Sequence, residues 1–330
     1  MMNIKPFNKK FVDLVNLLRD GNCHDGNSLG QQLNVTRSAV WKMIKRLEQY
    51  GISIHSTRGN GYALTESLIL LDPDYIKDAV SYPVELTVLE SVDSTNNFLK
   101  TQEKKKHMRC CFAEHQTQGR GRLDRRWHSP FGKNIYFSCN YLFQKDVSEL
   151  AGLSSTISLA ILETLRQLNV ADEAMVKWPN DVLYKHKKIS GVLIDVQAES
   201  HGITSAIIGI GLNVNMTNKD IEKSNAVLTQ AWTSLQSETN ISYDRNLVAV
   251  LLIQNLLHYV DRFEHKGFHD FMDEWKACDA LANKTIAIEH HGVIIHGEAL
   301  GINAQGHLLL RKSDGSVHGF SSGDTSMLKK

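Results

Sequence analysis

The spacing of apolar residues changes character twice along the chain. Up to about residue 50 it is helical. Phe11, Leu14, Val15, Leu17 and Leu18 make one stripe that stops near Gly21, and Val40, Ile44 and Leu47 make another. This predicts a first helix, a short second helix over Leu29–Leu33 capped by Ser28, and a third over residues 37–50, capped by Thr36 and stopped by Gly51. Ile52–Ser56 and Tyr62–Leu64 then flank the turn at residues 57–61, a hairpin with Arg58 at its tip.

From residue 66 the pattern becomes mixed. Leu68–Pro73 reads as a linker. Strands are expected at Leu86–Leu89, Cys110–Ala113, Asn134–Leu142, Ala174–Val176, Val182–Tyr184, Ile189–Ile194 and Ala206–Asn215. A helix carrying Ile157, Ile161, Leu165 and Leu168 is expected behind a Ser154 or Ser155 cap, and Leu247–Val260 reads as a core helix. The last fifty residues hold only short alternating runs, at Thr285–Ile288, Ile294–Gly297 and Leu308–Leu310, with turns at residues 291–292, 303–306 and 314–315. Three units follow: a winged helix-turn-helix over 1–65, a larger α+β body over 66–280, and a small β module over 281–330.

Composition narrows the class. No apolar run approaches the roughly 20 residues that a membrane helix needs, and the N-terminus lacks a signal-peptide core. Five cysteines form no CxxC pair, which points to free thiols in a cytoplasmic protein. The net charge of +1 hides an asymmetry, because residues 1–65 carry nine Lys/Arg against four acids. A basic helix-turn-helix suggests DNA, with Arg37, Lys42, Lys45 and Arg58 on phosphates and Ser38 and Trp41 near bases. A helical protein-interaction module is the other reading.

The chemistry concentrates in residues 119–127, Gly-Arg-Gly-Arg-Leu-Asp-Arg-Arg-Trp, which hold four arginines and two glycines. Glycine permits close backbone approach, and arginine presents a fork that matches carboxylates and phosphates. Taken alone the loop could equally be a solvated basic segment. In Asp93-Ser94-Thr95-Asn96, Ser94 or Asp93 could cap a helix, or the three polar residues from Ser94 could meet a small polar ligand. Lys177-Trp178-Pro179-Asn180-Asp181, Lys188-Ile189-Ser190-Gly191 and Gly211-Leu212-Asn213 complete the set. Gly191 marks a close approach within a strand.

With Glu114-His115-Gln116-Thr117-Gln118 ahead of the arginine loop, the order and spacing of these motifs resemble the biotin–protein ligases. The preceding winged helix resembles that of the bifunctional bacterial members, which are both ligase and biotin-responsive repressor. The resemblance implies a class II synthetase-like central domain, a C-terminal SH3-like barrel, and the substrates biotin and ATP with Mg²⁺. It also implies transfer of biotin to a lysine of the biotin carboxyl carrier protein of acetyl-CoA carboxylase, and operator binding as an adenylate-bound homodimer, with no membrane partner. Arg120, Arg122 and Lys188 would carry the catalysis. Ser94, Thr95, Asn96, Gln116, Gly119, Gly121, Trp127, Lys177, Asn180, Asp181, Gly191 and Asn213 would bind the substrates. Trp232 would stack on adenine behind a mobile segment at 216–226. Lipoate ligase, a non-repressing ligase and a non-catalytic regulator remain open. One departure stands out: relatives often carry Arg-Gly where this chain has Leu123-Asp124, and Asp124 could pair with Arg125.

Overall fold

The computed structural model describes all residues except 1–3, 7, 58–60, 103–107, 199–201, 225, 227, 229, 291 and 328–330. Arg58 and the tip of its hairpin therefore lie outside the described residues.

After a two-residue strand β1 (Lys5–Pro6), the N-terminal module packs α1 (Lys9–Leu18), α2 (Gly26–Gln32) and α3 (Arg37–Gln49) beside the hairpin β2 (Ile54–Thr57) and β3 (Gly61–Leu64). Thr36 caps α3 as expected, accepting from Ala39 N–H at 3.2 Å. The cap of α2 is Asp25 rather than Ser28. It accepts from Asn27 and Ser28 N–H, and the helix starts three residues earlier than its apolar pattern suggests. The predicted stripes form one core, with Phe11, Leu14, Leu18, Val40, Ile44 and Leu47 buried.

The body contains α4 (Pro73–Ala79), β4 (Glu85–Ser91), α5 (Thr95–Lys100), β5 (Arg109–Ala113), β6 (Ile135–Phe143) and α6 (Leu153–Gln167). It continues through β7 (Ala174–Lys177), β8 (Asp181–Tyr184), β9 (Lys187–Ala198), β10 (Thr204–Leu212), α7 (Asn218–Ser224), α8 (Leu235–Thr239), α9 (Arg245–Lys266) and α10 (Met272–Cys278). Its mixed sheet runs β1-β4-β5-β6-β10-β9-β8-β7, and β4–β5 is a parallel pair. Alternation splits the two faces. Cys110, Phe112, Phe137, Cys139, Ala206, Ile208 and Ile210 point into the main core with α6 and α9. Their neighbours Cys111, Ala113, Ile207, Ser138, Gly209 and Gly211 point the other way, toward α5.

Two expectations change here. Gly152, in the left-handed region, occupies the N-cap of α6, and neither Ser154 nor Ser155 caps it. Residues 68–73 are not a loose linker: Leu68, Leu70 and Leu71 are buried. The fully buried Arg245 donates to Ile69 O at 2.6 Å and pairs with Glu114 at 2.6 Å. Glu114 in turn accepts from Leu71 N–H. A buried pair of this kind needs every remaining donor satisfied, which fixes the segment in place.

The C-terminal residues form β11 (Thr285–His290), β12 (Val293–Ile302), β13 (Leu308–Arg311), β14 (Val317–Phe320) and β15 (Asp324–Met327). They make an antiparallel sheet in the order β14-β13-β12-β11-β15. Among the described residues the sheet is open, with no pairing that closes β14 on β15. It is stitched to the body, since Trp178, joined to Pro179 by a cis peptide, donates to Gly306 O at 3.0 Å.

Candidate functional site

Three residues without Cβ atoms make the floor of the site. Gly191 and Gly211 are partners in register across β9 and β10, and Gly209 lies two residues along on the same face. A methyl group on Gly211 would meet Trp127 Cε2 at 2.3 Å, and one on Gly209 would meet Asn96 Oδ1 at 2.2 Å. At Gly191 it would sit 3.3 Å from Trp127 Cζ3. The indole therefore lies flat on bare backbone. Its buried Nε1–H has no partner among the described residues. Beside it opens a cavity of about 300 Å³.

One end of the cavity is neutral and polar. Gln116 Oε1 accepts from Thr95 N–H at 3.0 Å, and Ser138 Oγ lies 2.6 Å from both Thr95 Oγ1 and Asn96 Oδ1. Asn96 Nδ2 donates to Asp195 at 2.9 Å. Ser94 stands at the N-cap position of α5 but makes no side-chain capping bond. Among the described residues the Asp93 carboxylate accepts from Ser94 N–H and Asn97 Nδ2. The capping reading of this stretch is thus replaced by one in which Ser94, Thr95 and Asn96 line the cavity.

The other end is cationic. Residues 119–127 form a tight hairpin in which Trp127 N–H donates to Gly119 O at 2.9 Å and Gly121 N–H to Arg125 O at 2.7 Å. Arg120 donates to Asn97 Oδ1 at 3.1 Å and approaches Asp195 at 3.6 Å. Arg122 reaches Asn180 Oδ1 and Gly323 O, both at 3.3 Å. Burial pushes its guanidinium below the usual arginine value, against the opposing pull of Asp324 and Asp181. Lys188 Nζ pairs with Asp181 at 2.7 Å and stands over the Trp127 ring.

The fold brings Ser94, Thr95, Asn96, Gln116, Arg120, Gly121, Arg122, Trp127, Asn180, Asp181, Lys188, Gly191, Asn213 and Trp232 to one cavity. Two expected residues do not line it. Gly119 lies on the far side of the hairpin, against Trp127 O and Ser129. Lys177 Nζ is spent on Thr325 O at 2.6 Å, and burial lowers its pKa. The Asn213 amide is also engaged, donating to Thr233 O at 2.9 Å. Trp232 is held by main-chain bonds of Lys188 to Ala231 O and from Thr233 N–H, each 2.9 Å. The segment expected to be mobile carries α7, with Met216 buried and Asp220 accepting from Thr217 N–H at 2.8 Å. Sequence reading missed Gly209, whose only signal was its two-residue spacing from Gly211. It also missed Gly323 and Asp324, which gave no signal. Arg125 pairs with Asp324 rather than Asp124.

A second candidate surface lies on α3. Arg37, Ser38, Trp41, Lys42 and Lys45 are all exposed, and Trp41 is 50% exposed despite its size. An exposed indole among cations leaves a helix face suited to a polyanion. The module is anchored to the body by Arg46–Glu90 at 2.5 Å and by stacking of Tyr50 on Phe131 at 4.2 Å.

Comparison with known proteins identifies the domains that carry the two surfaces. Residues 88–215 match the model of the Biotin/lipoate A/B protein ligase family, residues 13–63 an HTH domain, and residues 282–328 the Biotin protein ligase C terminal domain. The sequence is 34% identical over 317 residues to the Bifunctional ligase/repressor BirA of Salmonella typhimurium, covering 96% of this chain and 97% of that protein. It is 29% identical over 302 residues to the protein of that name from Bacillus subtilis, covering 88% and 90%. Among solved structures, the biotin protein ligase from Aquifex aeolicus in complex with biotin and ATP superposes with a TM-score of 0.61 at 26% identity. That match covers 74% of this chain and 99% of the other.

Proposed function

The chain belongs to the biotin/lipoate A/B protein ligase family in its bifunctional ligase/repressor form, and from that membership we propose how its own residues do the work. It activates biotin with ATP, transfers it to a carboxyl carrier protein, and binds DNA through its helix-turn-helix. The observation that carries the reading is the cavity itself, with a neutral polar end, an apolar floor of glycines and indole, and a cationic end. Biotin has the same sequence of parts: a ureido ring, the thioether ring fused to it with its aliphatic chain, and a carboxylate.

In the first step the biotin carboxylate oxygen attacks the α-phosphorus of ATP, forming biotinyl-5′-AMP as the bond to pyrophosphate breaks. Two anions must meet, so their repulsion has to be offset in a site that excludes water. Arg120 and Arg122 hold the carboxylate and phosphate oxygens, and Lys188 moves from Asp181 to the α-phosphate. Ser94, Thr95, Asn96 and Gln116 take the ureido group, and Trp232 covers the adenine. In the second step a carrier lysine amine attacks the acyl carbon, loses its proton and expels AMP. No protein nucleophile is needed.

Mg²⁺ fits as an ion carried by the nucleotide. It is commonly held by one or two carboxylates plus substrate phosphates, and Asp181, which lines the cavity, is the carboxylate that would hold it. When bound, it neutralises charge on the triphosphate. No cluster of three or more His, Cys, Asp or Glu able to hold an ion was found among the described residues.

We extend the reading to a three-domain division at 1–65, 66–280 and 281–330, to closure of the C-terminal sheet as an SH3-like barrel, and to a cytoplasmic location. Adenylate-dependent homodimerisation would set two α3 helices on a palindromic operator. Purified protein given Mg·ATP with biotin or lipoate in turn tests the assignment. Pyrophosphate release with biotin, then label on a carrier lysine, supports it. Release with lipoate alone moves the substrate, and release with neither leaves only a DNA-binding regulator.

A further inference from the structure

We propose that Asp195, which stands behind the cavity rather than lining it, is the positioning residue that decides which atoms at the neutral end donate and which accept. The proposal rests on the ligase reading above and deepens it, from the substrate to the reason a ring N–H is preferred.

β9 aims Asp195 at the side of the sheet that carries the site. Side chains alternate along a strand, so Asp195 shares the face of Gly191, and its partner in β10, Ile207, shares that of Gly209 and Gly211. There the carboxylate lies against α5. It accepts from Asn96 Nδ2 at 2.9 Å and pairs with Lys100 at 3.0 Å. Leu193 O also lies 3.4 Å from Asn96 Nδ2. Two acceptors thus face one end of the Asn96 amide. They fix its nitrogen toward β9 and its oxygen toward Ser138.

A count of protons settles the rest. Ser138 Oγ is fully buried and lies 2.6 Å from both Asn96 Oδ1 and Thr95 Oγ1. A hydroxyl has one proton to give, and an amide oxygen has none. Ser138 therefore donates to Asn96, and the Thr95 proton makes the contact between the two hydroxyls. Gln116 Oε1, 3.3 Å from the Thr95 hydroxyl, is an acceptor as well. Gln116 is oriented independently of Asp195. Its Oε1 takes Thr95 N–H at 3.0 Å, while its Nε2 donates to Ser129 Oγ at 3.2 Å. The Thr95 proton points into the protein on either course, and its oxygen offers the cavity lone pairs alone.

A site of this polarity selects a ligand N–H. A ligand oxygen at the same point would set two acceptors face to face and leave both unpaired in a buried place. Removing the Asp195 carboxylate frees the Asn96 amide to turn over, because Leu193 O at 3.4 Å is a poor acceptor beside a carboxylate. The Asn96 nitrogen then donates to Ser138, the Ser138 proton passes to Thr95, and the Thr95 proton is released toward the cavity. An acceptor has become a donor without any change in a residue that touches ligand.

The test is calorimetric titration of the full chain with biotin and with its two cyclic-carbamate analogues, each having one ring N–H replaced by oxygen. In Asp195→Ala, biotin affinity should fall at least about tenfold. The analogue whose oxygen faces Thr95 should lose less or gain, so the preference for biotin over it narrows by about tenfold or more. Asp195→Asn should keep the wild-type preference, because Asn96 and Arg120, 3.6 Å from the carboxylate, both present donors to its side-chain oxygen. Losing that Arg120 contact cancels in the comparison, since all three ligands carry the same carboxylate. Equal losses for all three ligands, as a purely structural role would give, overturn the inference, and so do unchanged affinities. If the wild type binds no biotin, the ligase reading falls instead. The polarity is then judged from the Asn96 side-chain amide NMR signals, identified by their absence in Asn96→Asp. Their displacement in Asp195→Ala supports it, and unmoved signals overturn it.

Discussion

Lys188 Nζ lies 2.7 Å from Asp181 Oδ1, so the ammonium expected to meet the α-phosphate is already neutralised within the site. The two residues face each other because β8 and β9 are paired with an irregularity between Val182 and Leu183. That register sets Lys188 over Trp127 and beside Gly191. Incoming phosphate must compete with one carboxylate, which fixes the direction of the ammonium.

Replacing Lys188 with Ala should reduce adenylate formation by about a hundredfold or more, the usual effect of removing a preorganised group from a developing anion. Thermal stability should change little, because the lost pair is only partly buried. Single-turnover pyrophosphate release and a melting curve decide it. Wild-type adenylation would remove Lys188 from the mechanism.

Gly209→Ala and Gly211→Ala probe the floor. The new methyl would lie 2.2 Å from Asn96 Oδ1 or 2.3 Å from Trp127 Cε2, so one of these side chains has to leave its place. Overpacking of this sort costs about 1–3 kcal/mol. Calorimetric titration should show biotin affinity falling by roughly tenfold to a hundredfold, with Tm lowered by several degrees. Unchanged affinity in Gly211→Ala would mean that ligand does not touch this strip.

The contact between the N-terminal module and the body should respond to acid. Burial holds the His115 imidazole down at about 4, and its ring sits 5.5 Å from that of Tyr50. The unfolded chain protonates first, near 6.5. Stability from this residue is therefore present above about 6.5 and is lost as pH falls toward 4, by up to about 3 kcal/mol. Glu90, whose carboxyl burial raises, acts in the opposite sense: its contribution is present at low pH and lost as pH rises through its raised value. Urea titrations of wild type and His115→Gln across this range should diverge, with the variant losing less on acidification. Parallel curves would show that His115 does not titrate as stated.

Lys42 and Trp41 separate DNA binding from catalysis. Both are exposed on α3, and that helix does not border the ligand cavity. Lys42→Ala should weaken binding to any duplex and reduce the slope of log affinity against log salt by about one. Trp41→Ala should act on site preference. Neither should alter pyrophosphate release. A catalytic defect in Lys42→Ala would show that this face serves the ligase as well.

Much of the site was legible because its residues sit in short motifs whose combination is specific. Gly119–Trp127, Lys188–Gly191 and Ser94–Asn96 are each ambiguous alone and become a site through the order and spacing they share with a known family, while the strands carrying them alternate clearly enough to be placed. The stripes of α1 and α3 likewise specify the N-terminal core, since helical periodicity needs only neighbouring residues. Caps were read less well. Asp25 and Gly152 each lie two or more residues ahead of the serine that composition favoured, because several neighbouring residues can close the same helix end.

What the sequence alone determined, then, is which residue types stand in which short stretches, and hence the family and its reagents. Tertiary structure decided which of them face the same space. Pairing of β9 with β10 set Gly191 opposite Gly211 under Trp127, a relation across about 20 residues that no local pattern encodes. Docking of β15 brought Asp324 to Arg125 and drew Lys177 away to Thr325. A short motif constrains only its own backbone, whereas a cavity belongs to every strand and loop that closes around it.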